Sequence, residues 1–387
     1  MKKIYAAIFV ISLFLAACSG SPDVDIPEEI ASLENLSVVE ADAGPSRSVG
    51  LNETASYGDT EDVIIGQMGM FAVDESGRVF LADISQQVIH VFAPDGEWLT
   101  QIGGEGEGPG EFRGIGPVKV GNGLLHAVDQ NLRRITRYEL ESLEFHSAVS
   151  LNSDDPPVEY SFPYDYHVRP DGTYLVFFTG PFTDEASTEE MVWQSALLDS
   201  EGKYASDIYL EVRANEWIVD SSDDFIRAFP PPYGRKSLMS MTPDGVLYHA
   251  WSEQILVKSY NNGGEYIGAV YFPYQSVPLN RSDALESYSD WDDRIQTVLR
   301  NQNMPDTWQA FDIMHVDEQK RIWIAAVTED RDLYEWIVFS EKGELLGVFN
   351  WPRTRQIQAV KNESVYTRET DEETGLTEVV RYDVGFD

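Results

Sequence analysis

The chain has 387 residues, a formal net charge of −38 and one cysteine. Hydrophobic residues make up 42% and aromatic residues 12% of the sequence, so the chain can form a large core and is not intrinsically disordered as a whole. Such an acidic chain repels nucleic acid phosphates and anionic lipid surfaces, and we expect no nucleic acid partner. The acidity fits either adaptation to high salt or an ordinary acidic exported protein.

Residues 1–17 have the three parts of a secretory signal peptide. Two lysines supply positive charge, residues 4–15 are apolar, and two small residues precede Cys18. The apolar stretch is too short to remain as a membrane-spanning helix. An ordinary secretory peptide followed by a chance cysteine is the alternative interpretation.

The run Leu15-Ala16-Ala17-Cys18 resembles the bacterial lipobox. That resemblance implies cleavage before Cys18, lipidation of its thiol and acylation of its new amino group, which would anchor the protein in the bacterial cell envelope. Ser19 fits delivery to the outer membrane, facing either the periplasm or the medium. Residues 18–36 then form an acidic tether, and the rest of the chain, without cysteine, has no disulfide and no thiol ligand.

A repeated pattern of short strands begins at Phe71. Alternating apolar residues over 71–83 are interrupted by Gly77, and two more apolar runs follow, separated by the turn Asp95-Gly96. Such a unit is typical of a propeller blade, a meander of antiparallel strands. Five further units follow, and the six units together place Val73, Val120, Val168, Met241, Val316 and Val360 at one equivalent position. The sequence therefore predicts an all-β fold: a six-bladed β-propeller of four-stranded antiparallel blades over residues 37–387.

The spacing of the units predicts where the propeller departs from a bare ring. Two successive spacings are much longer than the others and predict insertions in blades three and four. Residues 283–302 carry apolar side chains at helical spacing, which predicts a short helical insertion between blades four and five. We expect residues 37–65 to supply the outer strand of blade six as a clasp, since a closed ring protects its sheet edges.

The first unit resembles an NHL repeat in the placement of Asp74, Gly77, Asp83 and the Asp95-Gly96 turn. With the lipobox, the acidic tether and the run Gly108-Pro-Gly-Glu-Phe112, it resembles the six-bladed propeller lipoproteins of Bacteroidetes. The resemblance is closest over residues 66–140. The resemblance implies a fold and a cellular location, but no particular enzymatic reaction.

Four polar residues occupy one equivalent level of the inner strands: Lys119, His167, Ser240 and His315. Side chains at this level approach the central channel, where propeller enzymes hold metals or acid–base groups. His167 and His315 lie two blades apart and could face one axial site. The alternative is that each fills an inter-blade layer with a single hydrogen bond. Related lactonases and lyases use ligand sets that cannot be matched here, so no catalytic residue and no metal is assigned.

Clusters of aromatic residues and proline recur at blade junctions and include Tyr164, Tyr233 and Tyr274. If the three tyrosines share one face, they offer rigid surfaces for stacking a sugar or gripping a peptide. Local packing of the connecting segments is the alternative.

The sequence favours a lipid-anchored cell-envelope lipoprotein that acts as a binding or protein-interaction propeller. Its partner would be an envelope protein, a peptide or a glycan, and no cofactor is expected. The alternative function is a metal-dependent hydrolase or lyase of the lactonase-like propeller type, with its site at the central channel.

Overall fold

A computed structural model of the chain describes residues 26–40, 44–151, 156–158, 162–179, 191–220 and 227–387. The signal peptide and Cys18 lie outside these ranges. Six sheets built on antiparallel meanders follow one another along the chain, and inner strands of neighbouring blades contact each other at most of the junctions. The fold is a six-bladed β-propeller, which confirms the prediction from the repeats.

The elements are as follows in chain order. The N-terminal segment forms α1 (Glu28–Ala31), β1 (Leu36–Val38) and β2 (Val49–Tyr57). Blade one contains β3 (Met68–Val73), β4 (Val79–Asp83), β5 (Val88–Phe92) and β6 (Trp98–Gly103). Blade two contains β7 (Ile115–Gly121), β8 (Leu124–Asp129), β9 (Arg134–Glu139) and β10 (Phe145–Ser150). Blade three contains β11 (Phe162–Val168), β12 (Tyr174–Thr179), β13 (Val192–Leu198) and β14 (Leu210–Arg213), followed by the hairpin β15 (Ile218–Asp220) and β16 (Arg227–Phe229).

The second half of the chain continues the ring. Blade four contains β17 (Ser237–Met241), β18 (Leu247–Trp251), β19 (Leu256–Tyr260) and β20 (Tyr266–Tyr271), followed by α2 (Arg281–Glu286) and α3 (Asp293–Arg300). Blade five contains β21 (Phe311–Val316), β22 (Arg321–Val327), β23 (Leu333–Ser340) and β24 (Leu345–Pro352). Blade six contains β25 (Gln356–Lys361), β26 (Ser364–Thr370) and β27 (Thr377–Phe386).

The hydrophobic core lies between the blades, with one apolar cluster at each junction. Successive side chains of a strand point to opposite faces of its sheet, so each blade contributes to the two junctions beside it. In blade five, for example, Ile324 faces blade four and Trp323 faces blade six. Full burial of each such side chain stabilises the fold by about 1.5–3 kcal/mol.

The ring closes through β2, which forms the outer strand of blade six. It pairs antiparallel with β27 over the full length from Val49 to Tyr57. Tyr57 is fully buried, contacts the ring of Tyr366 in blade six and donates a hydrogen bond of 2.9 Å to the Pro94 carbonyl in blade one. The N-terminal part of the chain therefore joins the first and last blades.

The segment before β2 differs from the predicted tether. The side chain of Ile30 in α1 is only 2% exposed, and β1 pairs in parallel with β20, so that blade four has five strands rather than four. Leu36 and Val38 are apolar residues in a segment that follows the acidic run, and their strand β1 covers the edge of β20, which would otherwise be free to pair with another chain.

The helical insertion lies between blades four and five as predicted, but it consists of two helices. Asn280 caps α2 by accepting from the Ser282 N–H, and Asp292 caps α3 by accepting from the Ile295 N–H. A single helix over 283–302 cannot form because Asp292 starts a new helix in its middle. In the described part of the chain, no helix has the length and apolar character needed to cross a membrane.

The two helices pack with the β15–β16 hairpin into a small structure that we call the cap. Its core contains Ile218 and Phe229 of the hairpin together with Tyr288 and Leu299 of the helical insertion. The cap stands at the end of the propeller where the inner strands begin. We call this end the cap face, and the opposite end, where the inner strands turn into the second strands, the turn face.

Candidate binding faces and central channel

On the turn face, the central channel opens into a vestibule with a cavity volume of about 630 Å³. Five of the six equivalent apolar residues of the inner strands line it: Val120, Val168, Met241, Val316 and Val360. The rest of the wall is mostly polar and comes largely from the tight turns that follow each inner strand. Asn122, with a φ of 53°, takes a left-handed conformation that Asn tolerates better than most residues.

Polar contacts link neighbouring blades all the way around the turn face. Each contact joins a donor of one blade to an acceptor of a neighbouring blade. In ring order these pairs are Arg78 with the Leu140 carbonyl, Asn122 with the Arg169 carbonyl, Arg169 with the Asn262 carbonyl, Lys320 with Asp244, Lys361 with Glu318, and Asn362 with the Asp74 carbonyl. The distances lie between 2.6 and 3.3 Å. A ligand in the vestibule would compete with contacts that already join the blades.

The cap face is built differently, because β-bulges interrupt the start of five inner strands. The register shifts fall before Phe71, Val118, Asp165, Ile313 and Ala359. A bulge leaves one residue unpaired and redirects neighbouring side chains, and bulges are common at barrel rims and beside binding sites. Repetition of this feature in five blades gives the cap-face end of the channel an irregular and more varied rim.

A cluster of ionisable groups lies in the channel between blades two and three. The Lys119 ammonium donates to Asp165 Oδ1 at 2.8 Å and also to the Tyr166 carbonyl. His167 Nε2 lies 3.6 Å from Asp165 Oδ2 and has no hydrogen-bond partner among the described residues. The structure thus brings together two of the four channel residues that the sequence singles out, around a carboxylate that the sequence analysis did not select.

The charges of this cluster are set by burial and by Lys119. Burial works to raise the pKa of Asp165, but the Lys119 ammonium, His167 and hydrogen bonds hold it below its usual value. Burial, reinforced by Lys119, lowers the pKa of His167 to about 4. At neutral pH the cluster is therefore an ion pair beside a neutral imidazole.

The other two channel residues join adjacent blades. Ser240 Oγ accepts from the Val316 N–H of blade five at 3.1 Å. His315 Nε2 lies 3.1 Å from the Ile357 carbonyl of blade six, and its ring stacks on Trp336. His315 and His167 consequently have different neighbours and form no shared axial site in the structure. For His315, the geometry is that of a side chain filling an inter-blade layer.

A second charged cluster lies at the cap-face end of blade five. Asp312 accepts from Gln309 Nε2 at 2.8 Å and from the Tyr334 hydroxyl at 2.8 Å, and Lys236 Nζ lies 3.3 Å from it. Burial raises the pKa of Asp312, but Lys236 and these hydrogen bonds hold it below its usual value. The Arg353 guanidinium stacks over the Tyr334 ring at 4.3 Å.

Sequence reasoning missed both carboxylates. Each one precedes a histidine at the channel level by two or three residues, in Asp165-Tyr-His167 and Asp312-Ile-Met-His315. The bulge of blade three falls before Asp165, so Asp165 and His167 keep the ordinary alternation of a strand and lie on one face. Asp312 lies within the bulge of blade five, so alternation alone does not predict the direction of its side chain.

The three tyrosines of the predicted binding face have unequal exposure. Tyr164 is 44% exposed and stacks on Trp193 with ring centroids 4.4 Å apart. Tyr233 is buried in the core beneath the cap, and the partly buried Tyr274 donates its hydroxyl to the Val327 carbonyl at 2.9 Å. Tyr164 can therefore contact a ligand, whereas the other two pack the connecting segments.

Potential metal ligands are not clustered in the described ranges. No group of three or more His, Cys, Asp or Glu side chains there is arranged to hold a metal ion. The lysine of the Lys119–Asp165–His167 cluster supplies the positive charge that a metal would otherwise bring to that carboxylate.

Residues 59–227 match the family model DUF5128, described as "6-bladed beta-propeller". No curated protein matches the chain. Among solved structures, a Bacteroides fragilis protein whose name describes it as exported is 12% identical, with 91% of this chain and 99% of that chain covered and a TM-score of 0.52. A DUF4221 family member from Bacteroides vulgatus is 10% identical, with coverages of 88% and 99% and a TM-score of 0.50.

Some of the similar structures are enzymes. A virginiamycin B lyase from Staphylococcus aureus is 9% identical, with 86% of this chain and 99% of that chain covered and a TM-score of 0.41. A likeness at that level carries no argument about activity. The two Bacteroides structures, at their low identity, show the shared propeller fold alone.

Proposed function

We propose that the protein is a lipid-anchored cell-envelope lipoprotein that uses the cap face of its propeller to bind a partner. The proposed anchor is a lipid attached to Cys18. We also propose that the protein is located at the outer membrane and that its first blade is an NHL-like repeat. The lipobox-like run, the lack of any other cysteine and the exported Bacteroides protein of the same fold support this address.

The observation that carries the proposal is the contrast between the two faces. The long connections, of which residues 214–220, 227–236 and 272–310 are described, lie on the cap face, together with the bulged ends of the inner strands. On the turn face, short turns are tied to one another by the ring of polar contacts. Binding residues are commonly held on varied loops above a rigid scaffold, and the cap face has that construction.

The anchor predicts a change of cellular location. A chain that carries an ordinary secretory signal directly before Ser19, and therefore lacks Cys18, is expected to move from the membrane fraction to the soluble fraction. The acyl chains bury methylenes at about 0.8 kcal/mol each, and no other lipid anchor is proposed. Fractionation followed by mass spectrometry of the N-terminal peptide measures this. Unchanged membrane association of the chain without Cys18 would contradict the anchor.

Binding at the cap face predicts face-specific contact with a partner. A photoreactive residue in place of Met70, on the cap face, is expected to be trapped by an envelope component. The same residue in place of Glu75, in a turn-face loop, is not.

A second candidate function, a hydrolase or lyase with its site in the channel, is favoured only by the Lys119–Asp165–His167 cluster. Replacing Asp165 by asparagine tests it. The binding proposal predicts that Asp165→Asn lowers the free energy of unfolding by about 1–3 kcal/mol, because the Lys119 charge loses its partner, with no activity to lose. Denaturant titration and a screen of lactones and esters measure the two effects. Turnover by the native chain that Asp165→Asn abolishes would instead favour the enzyme.

A further inference from the structure

Exposed apolar side chains gather on the cap face over blades one and six. Ile64, Met70, Ile84 and Leu376 are 72%, 57%, 40% and 52% exposed. The four come from separate parts of the chain, namely the connection into blade one, the bulge of β3, the loop after β4 and the loop after β26. Single exposed apolar residues are ordinary, but a group of them on one face marks an interaction surface.

Hydrogen bonds join the three chain segments that carry Ile64, Met70 and Ile84. Gln86 Nε2 donates to the Ile64 carbonyl at 2.8 Å, and the Ile84 N–H donates to the Gln67 carbonyl at 2.8 Å. The Ile84 side chain packs against Gly69, the residue before Met70. A Cβ atom added to Gly69 would lie 3.0 Å from the Ile84 side chain. The loop that precedes Ile64 continues this surface into blade six, where Gly58 contacts Glu378, two residues from Leu376.

The loops around these apolar residues are acidic without compensation. Residues 58–67, 84–87 and 371–378 contain no lysine or arginine, and their acids are Asp59, Glu61, Asp62, Asp371, Glu372, Glu373 and Glu378. Most of these carboxylates are exposed. The nearby cation Arg368 donates to the Met68 carbonyl at 3.0 Å and so belongs to the link between blades six and one. We call the four apolar residues and these seven acids the acidic-rimmed patch.

We propose that the acidic-rimmed patch binds a polypeptide segment of a partner protein in which lysine or arginine alternates with apolar residues. Apolar side chains of the segment would cover Ile64, Met70 and Ile84, and its cations would lie against the surrounding carboxylates. Charge complementarity of this kind raises the association rate and excludes acidic partners, including a second copy of this chain. The inference rests on the proposed function, for which it names the partner.

Fluorescence anisotropy with a labelled synthetic peptide of interleaved leucine, lysine and serine tests the proposal on the body of the protein from Ser19 onward. A peptide with serine in place of every leucine, and another with glutamate in place of every lysine, are the peptide controls. We expect the leucine–lysine peptide to bind at least about 10-fold more tightly than either, with binding that weakens as salt rises. Equal binding of the serine peptide would overturn the proposal, since attraction to a net acidic protein would then suffice.

Two sets of variants locate the binding on the protein. We expect the combination Ile64→Ser, Met70→Ser and Ile84→Ser to weaken peptide binding by about 10-fold or more. The matched control, Leu99→Ser with Ile267→Ser, removes apolar side chains of 46% and 41% exposure from the fourth strands of blades one and four and should change binding by less than about 2-fold. An equal loss in the control would overturn the proposal.

The carboxylates are tested in the same way. One variant replaces four acids of the patch by the corresponding amides: Glu61, Asp62, Glu372 and Glu373. We expect these replacements to weaken peptide binding at low salt and to have little effect on the affinity at about 0.5 M salt, where charges are screened within a few ångströms. Neutralising four exposed acids elsewhere, Glu97, Glu141, Asp207 and Glu344, is the charge-matched control and should leave most of the affinity. If these peptides fail to bind but a photoreactive residue at position 70 still traps an envelope component, the partner class is wrong and the binding function stands.

Discussion

Replacing Tyr57 by alanine should lower the free energy of unfolding by about 3–5 kcal/mol, as expected for the loss of a fully buried aromatic side chain. Tyr57 belongs to β2, the strand that closes the ring, and it contacts Phe92 of blade one and Tyr366 of blade six. The cavity therefore opens at the junction where the two ends of the chain meet. Urea denaturation followed by tryptophan fluorescence measures the loss.

A pair of phenylalanine variants separates the hydrogen bond of Tyr57 from its packing. The Tyr57 hydroxyl donates to the Pro94 carbonyl, so Tyr57→Phe should cost about 0.5–1.5 kcal/mol. The buried Tyr366 hydroxyl beside it has no hydrogen-bond partner among the described residues, so Tyr366→Phe should be neutral or stabilising. If Tyr57→Ala cost no more than Tyr57→Phe, the clasp would not hold the ring closed.

Stability should fall steeply as the pH is lowered from 7 to 5. Burial lowers the pKa of His126 and His249 to about 4, as it does for His167, whereas a histidine in the unfolded chain has a pKa near 6.5. Between these values the unfolded chain binds more protons than the folded chain, so acidification favours unfolding. Each histidine should contribute a loss of roughly 2 kcal/mol at pH 5, or about 5–6 kcal/mol for the three.

Urea titrations at pH 7 and pH 5 in about 0.5 M salt measure this effect, because the salt suppresses repulsion among the many carboxylates. His126→Gln should remove the contribution of that histidine, about 2 kcal/mol between pH 7 and pH 5, although the variant loses contacts to the Tyr174 hydroxyl and the Gly121 carbonyl at both pH values. Equal stability of the native chain at the two pH values would show that the three histidines are not kept neutral by folding.

The blades were predictable from the sequence because each one is a local meander. Strands that are neighbours in the sequence also pair, so the apolar runs and the Asp-Gly turns place the inner strands at Val73, Val120 and their equivalents. The parallel pairing of β1 with β20 was not predictable, since Leu36 and Ala269 are more than two hundred residues apart and the strand has three residues. The β15–β16 hairpin was missed because each of its strands also has only three residues.

The roles of the candidate site residues were less predictable than their positions. Alignment of the repeats places Lys119, His167, Ser240 and His315 at one level, but the neighbour in the next blade decides what each side chain does. His315 meets a backbone carbonyl, whereas His167 lies beside Asp165. Both histidines lie equally far after a bulge, and blade five has Ile313 where blade three has Asp165. Tyr164 and Tyr233 lie in similar aromatic and proline runs, and only the packing of the cap buries one and leaves the other exposed.

The central claim, that the cap face is the binding face, is tested most directly by photo-crosslinking in living cells. A photoreactive residue replaces Met70 or Tyr164 on the cap face and, in separate chains, Glu75 or Gly123 on the turn face, with urea denaturation showing that each variant is folded. We predict crosslinked products of defined mass from the cap-face positions and none from the turn-face positions. Crosslinks from Glu75 or Gly123 with none from Met70 or Tyr164, or no crosslinks from any of the four positions, would contradict the account.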